Sequence, residues 1–217
     1  MYNIIMKLRC ELGSRAFTLI ELLVSISIFV FMTALLLAKY GNFNQSVLMT
    51  NLAYDMVLTL RTAQTYGLSV QGDTSGSSPT FGQAYGVAFC KNTSCNGTSN
   101  NQNMIMFADN NKNGVYNTGT PPDSIVANYS IKRGAKVLGF CDKQDGSGCI
   151  STGGTNSSIS SVDISFLRPD PNAIICTTKN SSVDCNNNYI KVILQSSDAS
   201  NIRSIVVRST GQMSVEE

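Results

Sequence analysis

A predominantly apolar run, FTLIELLVSISIFVFMTALLLA, extends from Phe17 to Ala38 and constrains this chain more than any other feature. As a helix these 22 residues rise about 33 Å, enough to cross a bilayer core of about 30 Å. One charge interrupts the run, Glu21. Lys7, Arg9 and Arg15 precede it. The positive-inside rule therefore places residues 1–16 in the cytoplasm and everything after Lys39 outside. The run is longer than the about 7–15 residues of a secretory h-region, and no A-x-A cleavage site follows it. Cys10 lies before the run, which excludes a lipid-modified cysteine behind it.

A carboxylate inside an apolar segment is costly and marks a functional position by default. No basic residue within the run can pair with Glu21. A cut just before Phe17 would create an α-amino group one helical turn from Glu21, on the same face or offered by a neighbouring chain. The stretch Ala16-Phe17-Thr18-Leu19-Ile20-Glu21-Leu22-Leu23-Val24 resembles the class III signal of type IV prepilins and pseudopilins. The resemblance implies that prepilin peptidase cuts on the cytoplasmic side, after Ala16, and methylates the amine of Phe17. It also implies that Glu21 pairs with a neighbour's N-terminus during filament assembly. The residue before the cut is usually Gly in that family. Ala16 is also small, so cleavage is expected to be tolerated but slower.

Beyond the leader the chain is electrically neutral. Residues 1–16 hold Lys7, Arg9 and Arg15 against Glu11, and the remainder carries 13 basic and 13 acidic side chains. A neutral body argues against broad binding to nucleic acid. Charged residues make up only 14% of the chain, against about 25% in an ordinary soluble domain. Ser, Thr, Asn and Gly replace them, which suits an extracytoplasmic surface. There is no His, so His-based general base catalysis and His-ligated zinc or haem are excluded. No G-x-S-x-G, S-x-x-K or P-loop sequence occurs. Asp163 and Asp170 read as surface positions. No enzyme is expected.

The pattern predicts an α+β chain of three parts: a leader over 1–16, a long helix over 17–67 with 17–38 in the membrane, and a β-rich head over 68–217. After Ala38 the helix is expected to continue, because Leu48, Leu52, Met56, Leu60 and Ala63 recur on one side with Phe43 and Val47 beside them. Thr59, Arg61, Thr62 and Gln64 form the polar side, Gly41 weakens the helix locally, and Gly67 ends it. The whole helix would be about 75 Å long. Gln71–Thr80 reads as a flexible loop. Strands are expected at 84–89, 104–108, 125–129, 136–140, 162–167, 189–194 and 202–208, with a Thr210-Gly211 hairpin turn into 213–215. Asn92–Asn103 and Asp142–Ser158 read as long polar loops. Together these give one long helix packed on an antiparallel sheet or small sandwich. Ala84–Phe89, Phe107-Ala108-Asp109 and Ile205–Gln212 are similar to the pseudopilin-H and minor-pilin group, which implies a β-sandwich head.

Six cysteines follow the leader: Cys90, Cys95, Cys141, Cys149, Cys176 and Cys185. An even number outside the cytoplasm points to disulfides, with 15 pairings open. Sequence-local pairs (90–95, 141–149, 176–185) are favoured because each brackets a turn-rich stretch. Zinc would want closer Cys spacing and some His, and free thiols remain the other alternative. Asp109-Asn110-Asn111-Lys112-Asn113-Gly114 has the oxygen spacing of the front half of an EF-hand loop. Asp109, Asn111, Asn113, the Val115 carbonyl and Asn117 are the calcium candidates. Position twelve is Thr120 instead of a bidentate Glu, although Asp123 is near, and a hairpin with Asx turns is the competing reading. Lys132, Arg133 and Lys136 read as a solvated basic turn, so DNA is not an expected partner. Sequons such as Asn92, Asn96, Asn128, Asn156 and Asn180 are expected by chance.

The expected function is a structural subunit of a type IV pilus or type II secretion-like filament, held first in the inner membrane with its N-terminus in the cytoplasm. Its expected partners are prepilin peptidase, other pilin or pseudopilin subunits, an inner-membrane assembly platform and the lipid bilayer. The alternative is a membrane-anchored binding or adhesive domain that never polymerises.

Overall fold

The computed structural model describes residues 17–69, 72–73, 80–92, 95, 100–119, 122–144, 149 and 158–216. The leader with Cys10 and Ala16, Thr120 and parts of the two long polar loops lie outside the described residues, as do the side chains at 39–43, 73 and 80. The chain divides into two compact units, Met1–Phe43 and Asn44–Glu217.

One helix, α1, spans Leu19–Leu68. Thr18 caps its start, its Oγ1 accepting the Glu21 backbone N–H at 3.2 Å. This is the T-x-x-E arrangement that satisfies an orphan amide and puts an acid in the first turn, where the helix dipole favours it. Leu19–Ala38 is apolar on every side, and its large side chains are exposed. The hydroxyls within it donate to carbonyls one turn back: Ser25 to Glu21, Ser27 to Leu23 and Thr33 to Phe29. Each of these hydroxyls is thereby satisfied inside the helix, as hydrocarbon requires.

The head of the second unit contains two main antiparallel sheets. After the short pair β1 (Gly72–Asp73) and β2 (Thr80–Phe81) come β3 (Ala84–Cys90), β4 (Asn103–Asp109), β5 (Ser124–Ser130), β6 (Lys136–Cys141), β7 (Ile159–Phe166), β8 (Ala173–Lys179), β9 (Ser182–Asp184), β10 (Tyr189–Gln195), β11 (Ile202–Arg208) and β12 (Met213–Glu216). Six strands form one sheet in the order β5-β4-β3-β7-β8-β9, and four form the other as β12-β11-β10-β6. Strand alternation sorts the side chains. Tyr85, Val87 and Phe89, Met104 and Met106, and Val162, Ile164 and Phe166 join Ile190, Val192, Leu194, Ile205 and Val207 in one core. The helix contributes Met49, Ala53, Met56, Leu60 and Ala63 to that same core.

Several expectations change. The buried helix stripe begins at Met49 and Ala53; Leu48 and Leu52 are only partly buried, and Val47 is 41% exposed. Thr59, expected on the polar side, is buried, with its hydroxyl bonded back to the Asp55 carbonyl. Gly67 does not end the helix. It lies within the last turn, where a Cβ would collide with the backbone carbonyl of Phe166. Its role is close approach to β7. Gly72 pairs with Phe81 and Asp73 with Thr80, while Gln71 and residues 74–79 of the expected loop lie outside the described residues. Strands β8 and β9, not expected from the sequence, extend the larger sheet beyond β7.

Candidate functional site

Phe17 and Glu21 sit at the start of α1. Phe17 is 75% exposed and precedes the Thr18 cap; Glu21 is an exposed residue of the first turn. Ala16, the other half of the expected cleavage site, lies outside the described residues. The arrangement offers a flat apolar helix surface with a single carboxylate near its N-terminal end. Such a surface needs lipid or other apolar helices around it. Thr18 had no assigned role in the sequence reading, although its spacing to Glu21 is itself the capping-box signature.

The six cysteines are joined as Cys90–Cys95, Cys141–Cys149 and Cys176–Cys185. The thiols are thereby spent as cross-links, and among the described residues no group of three His, Cys, Asp or Glu forms a metal site.

The Asp109–Asp123 loop folds over the outer face of the larger sheet. Tyr116 plugs a small second core with Ala88, Ile105 and Phe107, its ring 5.4 Å from that of Phe107. Two of the expected calcium oxygens, those of Asn111 and Asn113, accept amides of the loop itself. Asn111 Oδ1 accepts the Asn113 N–H at 3.1 Å, and Asn113 Oδ1 accepts the Val115 N–H at 2.8 Å. Asn117 donates its backbone N–H to Asp123 at 2.8 Å. These Asx turns match the competing reading of this segment. Asp109 is fully buried and accepts the Asn113 and Gly114 N–H groups at 3.3 and 2.7 Å. Gly114 has φ +81°, the left-handed conformation that lets its amide reach back to that carboxylate.

Beneath this loop lies a carboxylate that the sequence placed on the surface. Asp163 of β7 is 1% exposed, and no side chain hydrogen-bonds either of its oxygens; the Tyr116 backbone amide faces it. Ser165 Oγ, two residues along the same face, is likewise buried and unpartnered. Burial pushes the Asp163 carboxyl up to about 8; the Tyr116 amide opposes this, while the negative charges of Asp123 and Asp109 add to it. Asp123 is also raised, chiefly by burial, against the pull of the Asn117 and Asn110 amides. Burial of an acid without a cation favours its neutral form.

Elsewhere, Lys132 and Arg133 are exposed on the turn between β5 and β6, with Arg133 at φ +62°. That turn rims a cavity of about 520 Å³ lined by Leu48, Leu52, Met56 and Ile131.

An apolar N-terminal helix followed by antiparallel sheets is an α+β arrangement consistent with the type IV pilin fold. Residues 13–37 match the prokaryotic N-terminal methylation motif, which supports a type IV pilin-like precursor processed by methylation at its N-terminus. Comparisons with curated proteins and with solved structures found no match.

Proposed function

We propose that this chain is a pilin or pseudopilin, in a minor role, of a type IV pilus or type II secretion-like filament. The observation that carries the reading is the methylation motif over 13–37, set on an exposed apolar segment, Leu19–Ala38, whose one acid is Glu21. The precursor sits in the inner membrane with its leader in the cytoplasm. Prepilin peptidase cuts after Ala16 and methylates Phe17, and an inner-membrane platform transfers the subunit to the filament. Burial of Phe17–Ala38 against neighbouring helices replaces lipid contact. Glu21 then pairs with an adjacent N-terminal amine, so that one polar contact in an apolar bundle sets the register. The similarity of β3, the end of β4 and β11 to the pseudopilin-H and minor-pilin group supports the minor role. The chain acts by assembly and catalyses nothing.

Peptide mass spectrometry of the protein from its own cells tests the processing step. The expected N-terminal peptide begins at N-methyl-Phe17; an intact leader in all of the protein would overturn the reading in favour of a static anchor. Loss of one partner from a buried ion pair costs about 3–5 kcal/mol. Glu21→Ala is therefore expected to remain in the membrane, with incorporation into filaments reduced at least about tenfold against wild type in a competition assay. Equal incorporation would remove Glu21 from the mechanism.

A further inference from the structure

We propose that the oxygen cluster between the Asn111–Asn117 loop and the outer face of β7 binds a hard divalent cation of the calcium class, with Asp163, Ser165 and Asp109 as its side-chain ligands. The ligand set differs from the one the sequence suggested. Asn111 and Asn113 each accept one amide of their own loop with their side-chain oxygens, and the sheet, with Asp109 at the loop's root, adds buried donors.

Three observations converge. First, Asp163 and Ser165 are 1% and 0% exposed, and Asp163 Oδ1, Asp163 Oδ2 and Ser165 Oγ meet no side-chain partner, the Tyr116 backbone amide alone facing Asp163. Buried polar atoms are normally satisfied, and here two neighbouring residues on one strand face leave only oxygens unsatisfied. Second, the loop above them supplies the remaining acid. Ser165 Oγ lies 3.5 Å from where a Cβ on Gly114 would stand, and the Gly114 amide is held by Asp109 Oδ2 at 2.7 Å. Asp109 and Ser165 therefore both approach Gly114, beside Cys176 Sγ and Ile174, while the Tyr116 backbone faces Asp163. Third, the cluster lacks a counter-charge. Among the described residues the ion pairs are Lys179–Asp142 and Lys191–Glu216, and no Lys or Arg pairs with Asp109, Asp123 or Asp163.

Two carboxylates match a divalent charge. A carboxylate oxygen that accepts one N–H keeps a second lone pair, so Asp109 can serve the loop and the ion together. No three acidic groups converge by themselves. A mixed set of two carboxylates and a hydroxyl, filled out by carbonyls or water, suits calcium, which takes six to eight oxygens in flexible geometry; magnesium demands a near-ideal octahedron. Bound at this position, the ion would hold the Tyr116 plug against the sheet.

The test uses the full-length protein in detergent, stripped with EGTA and then returned to about 5 mM CaCl2 or MgCl2. Equilibrium dialysis is expected to find one calcium per chain. Thermal unfolding is expected to shift up by about 4 °C or more with calcium and by much less with magnesium. Asp163→Asn keeps the shape and removes the group that must ionise to bind the cation. It is expected to fold with an unfolding temperature in EGTA at or above wild type, and to lose the calcium-dependent shift. Ser165→Ala is expected to weaken calcium binding about tenfold and decides the matter if Asp163→Asn does not fold. Absence of bound calcium in the folded wild type, an equal shift with magnesium, or a calcium shift unchanged in both variants would each overturn the proposal. In the first case Asp163 is simply a protonated acid beneath the loop.

Discussion

Polar residues in this chain are placed by very local needs, and those needs are partly legible in sequence. Thr18 and Glu21 form a capping pair because three residues separate them. Ser196–Asn201 is a turn built in the same way. Asp198 accepts the Ser200 N–H at 3.1 Å and the Ser200 hydroxyl at 2.7 Å, together with the Ser196 hydroxyl. Those hydroxyl and amide bonds, that from Ser196 first, draw its carboxyl down to about 2. A carboxyl depressed below its unfolded value contributes stability above about pH 4 and loses it as pH falls towards 2. The difference in unfolding midpoint between wild type and Asp198→Asn is therefore expected to be constant from pH 7 to pH 5 and to close below pH 4. A difference that persists unchanged at pH 2 would show that these bonds do not favour the ionised form. Asp163 teaches the opposite lesson. In Ser161-Val162-Asp163-Ile164-Ser165-Phe166, polar and apolar residues alternate cleanly, which reads as a strand with one face in water. The polar face is buried because a loop some 50 residues earlier in the chain lies across it, and strand periodicity carries no information about that cover.

Among the elements, α1 obeys two rules in succession. Up to Ala38 it is apolar all round. From Met49 to Ala63 it is one-sided, burying Met49, Ala53, Met56, Leu60 and Ala63 in the head, with Arg203 of β11 donating to Thr50 and Ser46 at 3.1 and 3.0 Å. The periodic signal identified a helix here but chose Leu48 and Leu52 over Met49 and Ala53. Larger apolar side chains dominate any such count, whereas the sheet selects the face that fits it. Gly67 shows the same limit. A glycine near a helix end reads as a stop, yet this one is there because β7 passes too close for a Cβ. In an open helix Gly→Ala is worth about 1 kcal/mol of added stability. Here Gly67→Ala is expected to destabilise by about 2–3 kcal/mol, since backbone atoms cannot step aside. Urea unfolding gives the sign directly, and a stabilised variant would refute the packing argument. Strands β8 and β9 escaped the reading because β8 follows a Pro-Asp-Pro turn and β9 has only three residues.

For the whole molecule, the two units rest on different physics. Met1–Phe43 carries exposed large apolar side chains from Phe17 to Leu37, as a membrane-anchored pilin would. Asn44–Glu217 has its own core of helix and two sheets, cross-linked by three disulfides with sequence separations of 5, 8 and 9. Loops so short constrain the unfolded chain only modestly, about 2–3 kcal/mol per bridge in the chain-entropy treatment. Reduction is therefore expected to lower the unfolding temperature of the head while leaving its sheets formed, as far-ultraviolet circular dichroism would record. Complete loss of strand signal on reduction at 25 °C would mean that the core is weaker than its burial suggests. The local pairing was foreseeable because residues so near in sequence meet at little entropic cost. The membrane-competent helix, the processing signal and the alternating strands were likewise determined by the sequence itself, since each depends on residues within a few turns of one another. What only the tertiary structure decided was which helix face meets the sheets, why Gly67 must lack a side chain, and that Asp163 and Ser165 lie sealed beneath a distant loop. Those facts depend on contacts between segments far apart in the chain, and no local pattern encodes them.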